Sequence, residues 1–449
     1  MTNSHLPDNP TASYWLRDLE VPESAPLPTE TVDVAIIGAG ISGLSVARFL
    51  QQLKPEWHIV VVEGRQLSGG ATGRNGGLLV PGLHDSWTTT TAALGIPVTR
   101  KLLKFDQLNA DALSEFVTTY LAHGGQPDPF FHKFKDGCLN VFATDGEKEF
   151  WTEDVRKMKA AGCGEGFELL DARAVKELLG TDVYLGAVRM APAYRVWPAK
   201  LVLGLAKEVL AQNTKQRHAG GKVTICTQKL VEKVRKQPDG TFLITASKRH
   251  TLQARQVIVC TNSHTSTFLP TLPILPVKNQ VIVTKPLSPP PPFDLCITAN
   301  NGYEYLSTRE DGRIVLGGMR HLVTPSMEVG NGDDAHLHPE VSKALRSYIP
   351  DRFPMLKKQG VEVEMEWAGI MGFSGDRLPF VGPVPRNPGM FVSAGFSGHG
   401  MPRAFLSGKA VAEMVAGVRV GEDFPEVFLP EGRETKEERV SRENFKSML

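Results

Sequence analysis

An apolar run that breaks into three glycines and then into a helical pattern constrains this chain more than any other stretch. Residues 32–43 read Val-Asp-Val-Ala-Ile-Ile-Gly-Ala-Gly-Ile-Ser-Gly, and Leu44-Ser45-Val46-Ala47-Arg48-Phe49-Leu50 follow. The pattern predicts a buried strand, a tight turn and a helix, the geometry of a dinucleotide-binding unit. Gly38 permits the turn, Gly40 lets the backbone approach a pyrophosphate, and Gly43 lets helix and strand pack closely. Ile41 and Ser42 stand at the helix N-terminus, where free N–H groups and the helix dipole favour an anion. A second apolar strand, His58-Ile59-Val60-Val61-Val62, ends at Glu63, about 20 residues beyond Gly43, where a ribose-binding carboxylate belongs. Gly64 and Arg65 follow it and join the expected contact set.

The turn alone does not separate NAD from FAD, but the next segment does. Ser68-Gly69-Gly70-Ala71-Thr72-Gly73-Arg74-Asn75-Gly76-Gly77-Leu78 resembles the loop that wraps the flavin in FAD-dependent amine and amino acid oxidoreductases. That is the D-amino acid oxidase-like family, with glycine oxidase, sarcosine oxidase and gamma-glutamylputrescine oxidoreductase. Its small residues let N–H groups and the Thr72 hydroxyl lie against phosphates, while Arg74 is expected to offset phosphate charge. Ala71, Asn75, Gly76, Gly77 and Leu78 complete this stretch of contacts. Two later segments extend the resemblance. Gly395-Phe396-Ser397-Gly398-His399-Gly400 is similar to the sarcosine oxidase branch, and residues 367–382 look like the family's Asp-x-x-Pro-x-x-Gly element. The resemblance covers about 31–420, discontinuously. It adds Val231, Thr261, Gly395, Gly398, His399, Gly400 and Met401 to the cofactor contacts.

At 449 residues and 41% hydrophobic content, the chain is long enough for two joined domains. The expected fold class is α/β. A Rossmann-type FAD-binding domain takes residues 31–85, 191–264 and 366–420, and an interleaved α+β substrate domain, built on an antiparallel sheet, takes 86–190 and 265–365. Residues 1–30 form an arm in which Tyr14-Trp15-Leu16 is the docking candidate, and 421–449 form a charge-rich tail. Fifty basic against 49 acidic residues offer no electrostatic case for nucleic acid or an anionic membrane. Five scattered cysteines without a CxxC pair read as reduced thiols, with no metal site. No apolar run is long enough to span a bilayer, and the polar opening residues lack a secretory signal's apolar core, so the expected location is cytoplasmic. Ser447-Met448-Leu449 loosely resembles the peroxisomal Ser-Lys-Leu address, departing at the central position, which leaves the peroxisome open.

No second glycine fingerprint provides a nicotinamide site, so electrons must come from the substrate. The resemblance implies hydride transfer to flavin from the carbon beside a neutral amine, giving an imine, with dioxygen as acceptor and hydrogen peroxide as product. A helix N-terminus at Gly398 to Met401 is expected to stabilise charge on the reduced flavin. His399 has the titration range of a base, but its place between two glycines favours a role in ordering the flavin edge. Lys278 and Lys285 flank a strand expected near the flavin and are candidates for oxygen activation, with a solvated surface role as the alternative.

The departures from the family also matter. Residues 367–376 contain no Cys and 72–77 no His, so neither familiar covalent attachment is available and FAD is expected to be noncovalent. Relatives place an Arg near Met371 and a Lys near Met401 and Pro402 to grip a substrate carboxylate. Arg403 is the candidate replacement. Small carboxylated amines are therefore expected to be poor substrates, and a larger amine or N-substituted amino compound, held by Trp367, Met371 and Phe373, a better one. The alternatives are a dehydrogenase or imine-forming enzyme with another electron acceptor, and a flavin-bearing protein without turnover.

Overall fold

The computed structural model describes residues 6–83, 85–121, 130–215 and 220–433. The apolar runs around the glycine turn become a parallel sheet. Strand Val32–Ile37 lies between His58–Val62 and His250–Val259, and Lys222–Cys226 pairs beyond His58–Val62, all in parallel. Parallel strands covered on both faces must be apolar at consecutive positions. Here the alternation divides them cleanly. Val34, Ile36, Ile59 and Val61 enter one core, with helices Ile41–Leu53 and Ala404–Ala416, while Ala35, Ile37, Val60 and Val62 enter the other. Each of these Val and Ile side chains contributes about 1.5–3 kcal/mol on burial. Met390–Ala394 adds to this sheet in parallel, Phe380–Pro383 pairs with it, and the hairpin Val231–Lys236/Phe242–Ala246 closes the far edge.

Helix Ile41–Leu53 packs directly on Ala404–Ala416, because Gly408 leaves room for Ser45. A Cβ on Gly408 would lie 2.6 Å from the Ser45 Cβ. Phe49 and Phe405 meet edge to face at 5.1 Å. This contact brings the turn at 395–403 beside the turn at 38–43, although they are far apart in sequence.

The second sheet has eight described strands, in the order Val363–Ser374, Ile274–Thr284, Ile314–Gly318, Glu304–Thr308, Cys296–Ala299, Cys138–Phe142, Gly186–Met190 and Phe167–Asp171. Its pairs are antiparallel except Cys296–Ala299 with Cys138–Phe142, which run parallel. The expected antiparallel sheet is thus mixed, because at that join two segments remote in sequence meet side by side with no hairpin between them. The boundary at 366 also needs correction. Val363–Ser374 pairs along the whole of Ile274–Thr284, so the chain returns to the first sheet only after residue 374.

The arm docks. Ser13 Oγ donates to Gly73 O (2.6 Å), Trp15 Nε1 to Asn75 O (2.6 Å), and Trp197 Nε1 to Trp15 O (2.7 Å). Among the described residues, no helix is long and apolar enough to cross a membrane. Ser447-Met448-Leu449 lie outside the described residues.

Candidate active site

A large cavity of about 1000 Å³ runs between the two sheets, at the upper end of the range of about 300–1000 Å³ common for ligand sites. One end is made of backbone. Gly38 has φ +109°, and a Cβ there would lie 2.7 Å from Cys260 O; a Cβ on Gly40 would lie 2.9 Å from Thr72 Oγ1. Helix Ile41–Leu53 begins at Gly40 without a side-chain cap, so N–H groups of its first turn stay available to an anion. Ile41 N is met by Thr72 Oγ1 at 3.2 Å. The Glu63 carboxylate accepts from Ala39 N and Arg65 N, both at 2.8 Å. Burial raises its pKa, and those two N–H groups work against the rise.

Gly64, Ala71, Asn75, Gly76, Leu78, Val231 and Thr261 also line the cavity, as do Ser42, Gly398, Gly400 and Met401. Gly43, Gly77 and Gly395 do not; they stand behind the wall. A Cβ on Gly43 would lie 1.9 Å from Gly38 O, one on Gly77 2.7 Å from the Trp15 ring, and one on Gly395 3.0 Å from Ile274. Arg74, expected to offset phosphate charge, and Arg65, expected among the cofactor contacts, are both engaged with protein groups. Arg65 makes a bidentate pair with Asp334 at 2.6 and 2.9 Å. Arg74 donates to Gly69 O (3.1 Å) and Ala368 O (2.9 Å) and lies 3.6 Å from the same aspartate. Burial lowers its pKa to about 10. Both line the cavity, but Asp334, brought by the loop after Ile314–Gly318, already lies between them, one carboxylate for two guanidiniums.

The opposite end is made of side chains: Tyr303, Arg320, Met371, Phe373, Arg377 and His399. Tyr305 and Asn279 form the wall between the two ends. The Tyr305 hydroxyl accepts from Asn279 Nδ2 at 3.2 Å, and burial pushes its pKa up. Arg377 pairs with Asp85. Arg320 stacks over Tyr303 (4.6 Å) and Phe373 (5.5 Å), and its Nη1 reaches Met327 O at 3.4 Å. Burial lowers its pKa, and among the described residues no carboxylate pairs with it.

Several expected site residues lie elsewhere. Asn279 and Val281 face the cavity, so the alternation of the strand turns Lys278 to the other face. There its Nζ lies 3.4 Å from Glu328. Lys285 is exposed and paired with Glu362 at 2.5 Å. Trp367 is buried outside the cavity, its Nε1 donating to Arg74 O at 2.9 Å. Arg403 is 1% exposed and bound to Asp106. The helix expected to start near 398 starts at Ala404, and Leu406 N of its first turn is already capped by Asn109 Oδ1 at 2.9 Å. Sequence reasoning missed Asp85, Asp106, Asn279, Tyr303, Tyr305 and Arg320. None sits in a local motif.

A glycine cradle at a helix start, a carboxylate after the second strand and a long cavity leading to a polar, aromatic chamber suit a flavin dinucleotide. Residues 33–414 match the family described as DAO, FAD dependent oxidoreductase, and the chain belongs to it. Its cofactor is FAD. Among similar proteins, gamma-glutamylputrescine oxidoreductase of Escherichia coli is 26% identical over 397 residues, spanning 86% of this chain and 84% of that one. Sarcosine oxidase subunit beta of Rhodobacter capsulatus is 24% identical over 405 residues, spanning 88% and 87%. In fold, the glycine oxidase structure from Geobacillus kaustophilus superposes with a TM-score of 0.71 at 19% identity, covering 89% of this chain and 98% of that one.

Proposed function

We propose that this protein oxidises the C–N bond of an amine or amino acid carrying an anionic group, passing electrons to dioxygen and forming an imine and hydrogen peroxide. FAD, when bound, supplies the two-electron acceptor. The substrate gives up a hydride and a proton, and the imine adds water to give carbonyl and amine.

The observation that carries this is Arg320. A half-buried guanidinium held over two aromatic rings at the cavity wall, with no acidic partner among the described residues, suits a ligand that brings the anion. Met371 and Pro402 line the cavity without charge, and Arg403 is committed to Asp106, so Arg320 replaces the cations that relatives place at those two positions. The expectation that carboxylated amines are poor substrates rested on the lack of such a cation and loses that basis. Substrate length has room: the cavity continues past Trp87 to Phe150, Trp151 and Met158 on helix Asp145–Ala160. The relatives' names, which include a glutamyl-amine oxidoreductase and glycine and sarcosine oxidases, agree with an anionic amine.

The experiment is anaerobic bleaching of the flavin spectrum by a panel of amines with and without a carboxylate, followed by admission of oxygen. Faster bleaching by the carboxylated members and one peroxide per turnover are expected; equal rates across the panel would remove Arg320 from the account. One observation favours a second reading, transfer to an acceptor other than oxygen: neither Lys278 nor Lys285 faces the cavity. Dye reduction without oxygen uptake would establish it.

FAD is proposed to be noncovalent. Of the described cysteines, Cys260 lines the cavity, beside the glycine turn, and burial pushes its thiol up to about 12, so it is a poor nucleophile. Acid precipitation should leave all flavin in the supernatant. Flavin mass on the denatured polypeptide would show a bond.

A further inference from the structure

His399 lines the cavity, and its Nε2 lies 2.8 Å from Gly82 O and 3.0 Å from Asp106 Oδ2. A backbone carbonyl only accepts. Asp106 also accepts from Arg403, whose Nε reaches Oδ1 at 2.8 Å and whose Nη2 reaches Oδ2 at 3.2 Å. Asp106 is fully buried and Arg403 nearly so. A carboxylate forked by a buried guanidinium is ionised and has no proton to offer an imidazole. Both of these partners of Nε2, among the described residues, are therefore acceptors, and Nε2 carries the hydrogen they share.

We propose that Asp106 is a positioning residue for His399, fixing the imidazole as the Nε2–H tautomer and assigning gain and loss of its second proton to Nδ1, while Arg403 balances the carboxylate. This rests on the flavin-site reading only for what the imidazole acts upon.

The scaffold suits the task. Asp106 and Asn109 lie three apart on one face of helix Ile96–Phe116. Asn109 donates to Met401 O at 3.1 Å and caps Leu406 N, so the same face that orients the ring also holds the turn carrying it. Among the described residues, the charged groups facing the imidazole are Asp106 from that helix and Arg403 from the start of the next. Across the cavity stand the Asp85–Arg377 pair and Arg320. Asp106 with Arg403 is a neutral unit, so it orients the ring without adding an uncompensated negative charge beside it. A lone buried carboxylate at 3.0 Å would instead favour the imidazolium.

The test is nitrogen NMR of ¹⁵N-histidine-labelled holoenzyme, with His399→Gln to assign the signal, in the absence of any amine. The Nε2–H tautomer is expected, and an Nδ1–H or mixed tautomer in the parent overturns the proposal whether or not any variant folds. Asp106→Asn should populate the Nδ1–H form, since its amide can donate to Nε2, and should slow anaerobic flavin bleaching by roughly tenfold or more; Asp106→Glu should restore both in part. Arg403→Lys, which keeps the charge but loses the fork, should raise the apparent pKa of His399 relative to the parent and slow bleaching less. An Asp106→Asn protein that holds FAD with the parent tautomer and rate would overturn the assignment. A failure of the amine reading would leave the tautomer result untouched, so the two are separable.

Discussion

The two ends of the cavity recognise by opposite means. At the dinucleotide end the chain offers backbone: glycines where a Cβ would collide, N–H groups at a helix start, and one carboxylate held by two amides. At the far end it offers side chains, with Arg320 over Tyr303, Arg377 on Asp85 and His399 on Asp106. The first surface is assembled from short neighbouring stretches, chiefly 38–43 and 63–78. The second draws single residues from at least four separate segments. Backbone recognition answers to a shape shared by many nucleotides and fails by steric clash; side-chain recognition answers to one molecule and fails by loss of a charge.

The largest test of that contrast is Gly43→Val. Its Cβ would lie 1.9 Å from Gly38 O, a backbone atom that cannot move without opening the turn. Overpacking of this kind costs about 1–3 kcal/mol or more, and it falls on the phosphate cradle. Protein without flavin absorbance, or none soluble, is expected; a yellow, parent-like variant would show that the turn is not needed in this form. Next in size is Arg320→Met. Here FAD retention should be unchanged, while the rate constant for bleaching divided by the apparent dissociation constant for a carboxylated amine falls by roughly 10- to 100-fold. That is the scale of a charge-assisted hydrogen bond of about 1.5–3 kcal/mol. Loss of FAD together with activity would erase the division between the two ends.

The same contrast explains what was legible in the sequence. Strands 32–37, 58–62, 222–226 and 390–394 read directly, because burial leaves them mostly apolar, interrupted only at single positions such as Asp33, Thr224 and Ser393. The glycines at 38 and 43 read because a Cβ there would meet backbone oxygen, and Gly40 reads from its place in the spacing. Lys278 misled because the facing of a strand residue depends on which face its sheet turns inward, and residues 276–281 alternate too weakly to show it. Arg403 misled because its partner, Asp106, lies 297 residues away on a helix with no motif. Strand Val363–Ser374 was divided at 366 because its flavin-family resemblance begins at Trp367, whereas its pairing begins earlier. Arg320 gave no signal at all: its meaning lies in the carboxylate that is not beside it.

A smaller effect should follow Glu63→Gln. The carboxylate accepts from two backbone amides and lines the cavity where a ribose hydroxyl would donate. An amide keeps one acceptor and turns a donor toward N–H. FAD affinity, followed by flavin fluorescence on titrating the apoprotein, should weaken about tenfold, or about 1.4 kcal/mol, with no change in the rate of bleaching once FAD is saturating. A change in rate would place Glu63 in the chemistry as well.

The smallest effect concerns His264, which lines the cavity near Arg65 and Asp334. Burial pushes its pKa down to about 4, nearby Arg65 adds to the fall, and Asp334 opposes it. Unfolded, the ring takes a proton near its ordinary value of about 6.5; folded, it refuses one until about pH 4. Between those values the unfolded chain binds more protons, so stability rises with pH. The contribution is present above about 6.5 and is lost as pH falls through about 4. His264→Asn removes it, since an amide does not titrate there. The drop in melting temperature from pH 7 to pH 4.5 should be smaller in the variant than in the parent, by about 2–3 °C, since the shift is worth roughly 2–3 kcal/mol at pH 4.5 and about 1 kcal/mol moves the midpoint by roughly 1 °C in a chain of this length. Because carboxylates elsewhere titrate in both proteins, only the difference between the two drops counts. Parallel drops would mean that water reaches the ring freely, and that the cavity wall is open at His264.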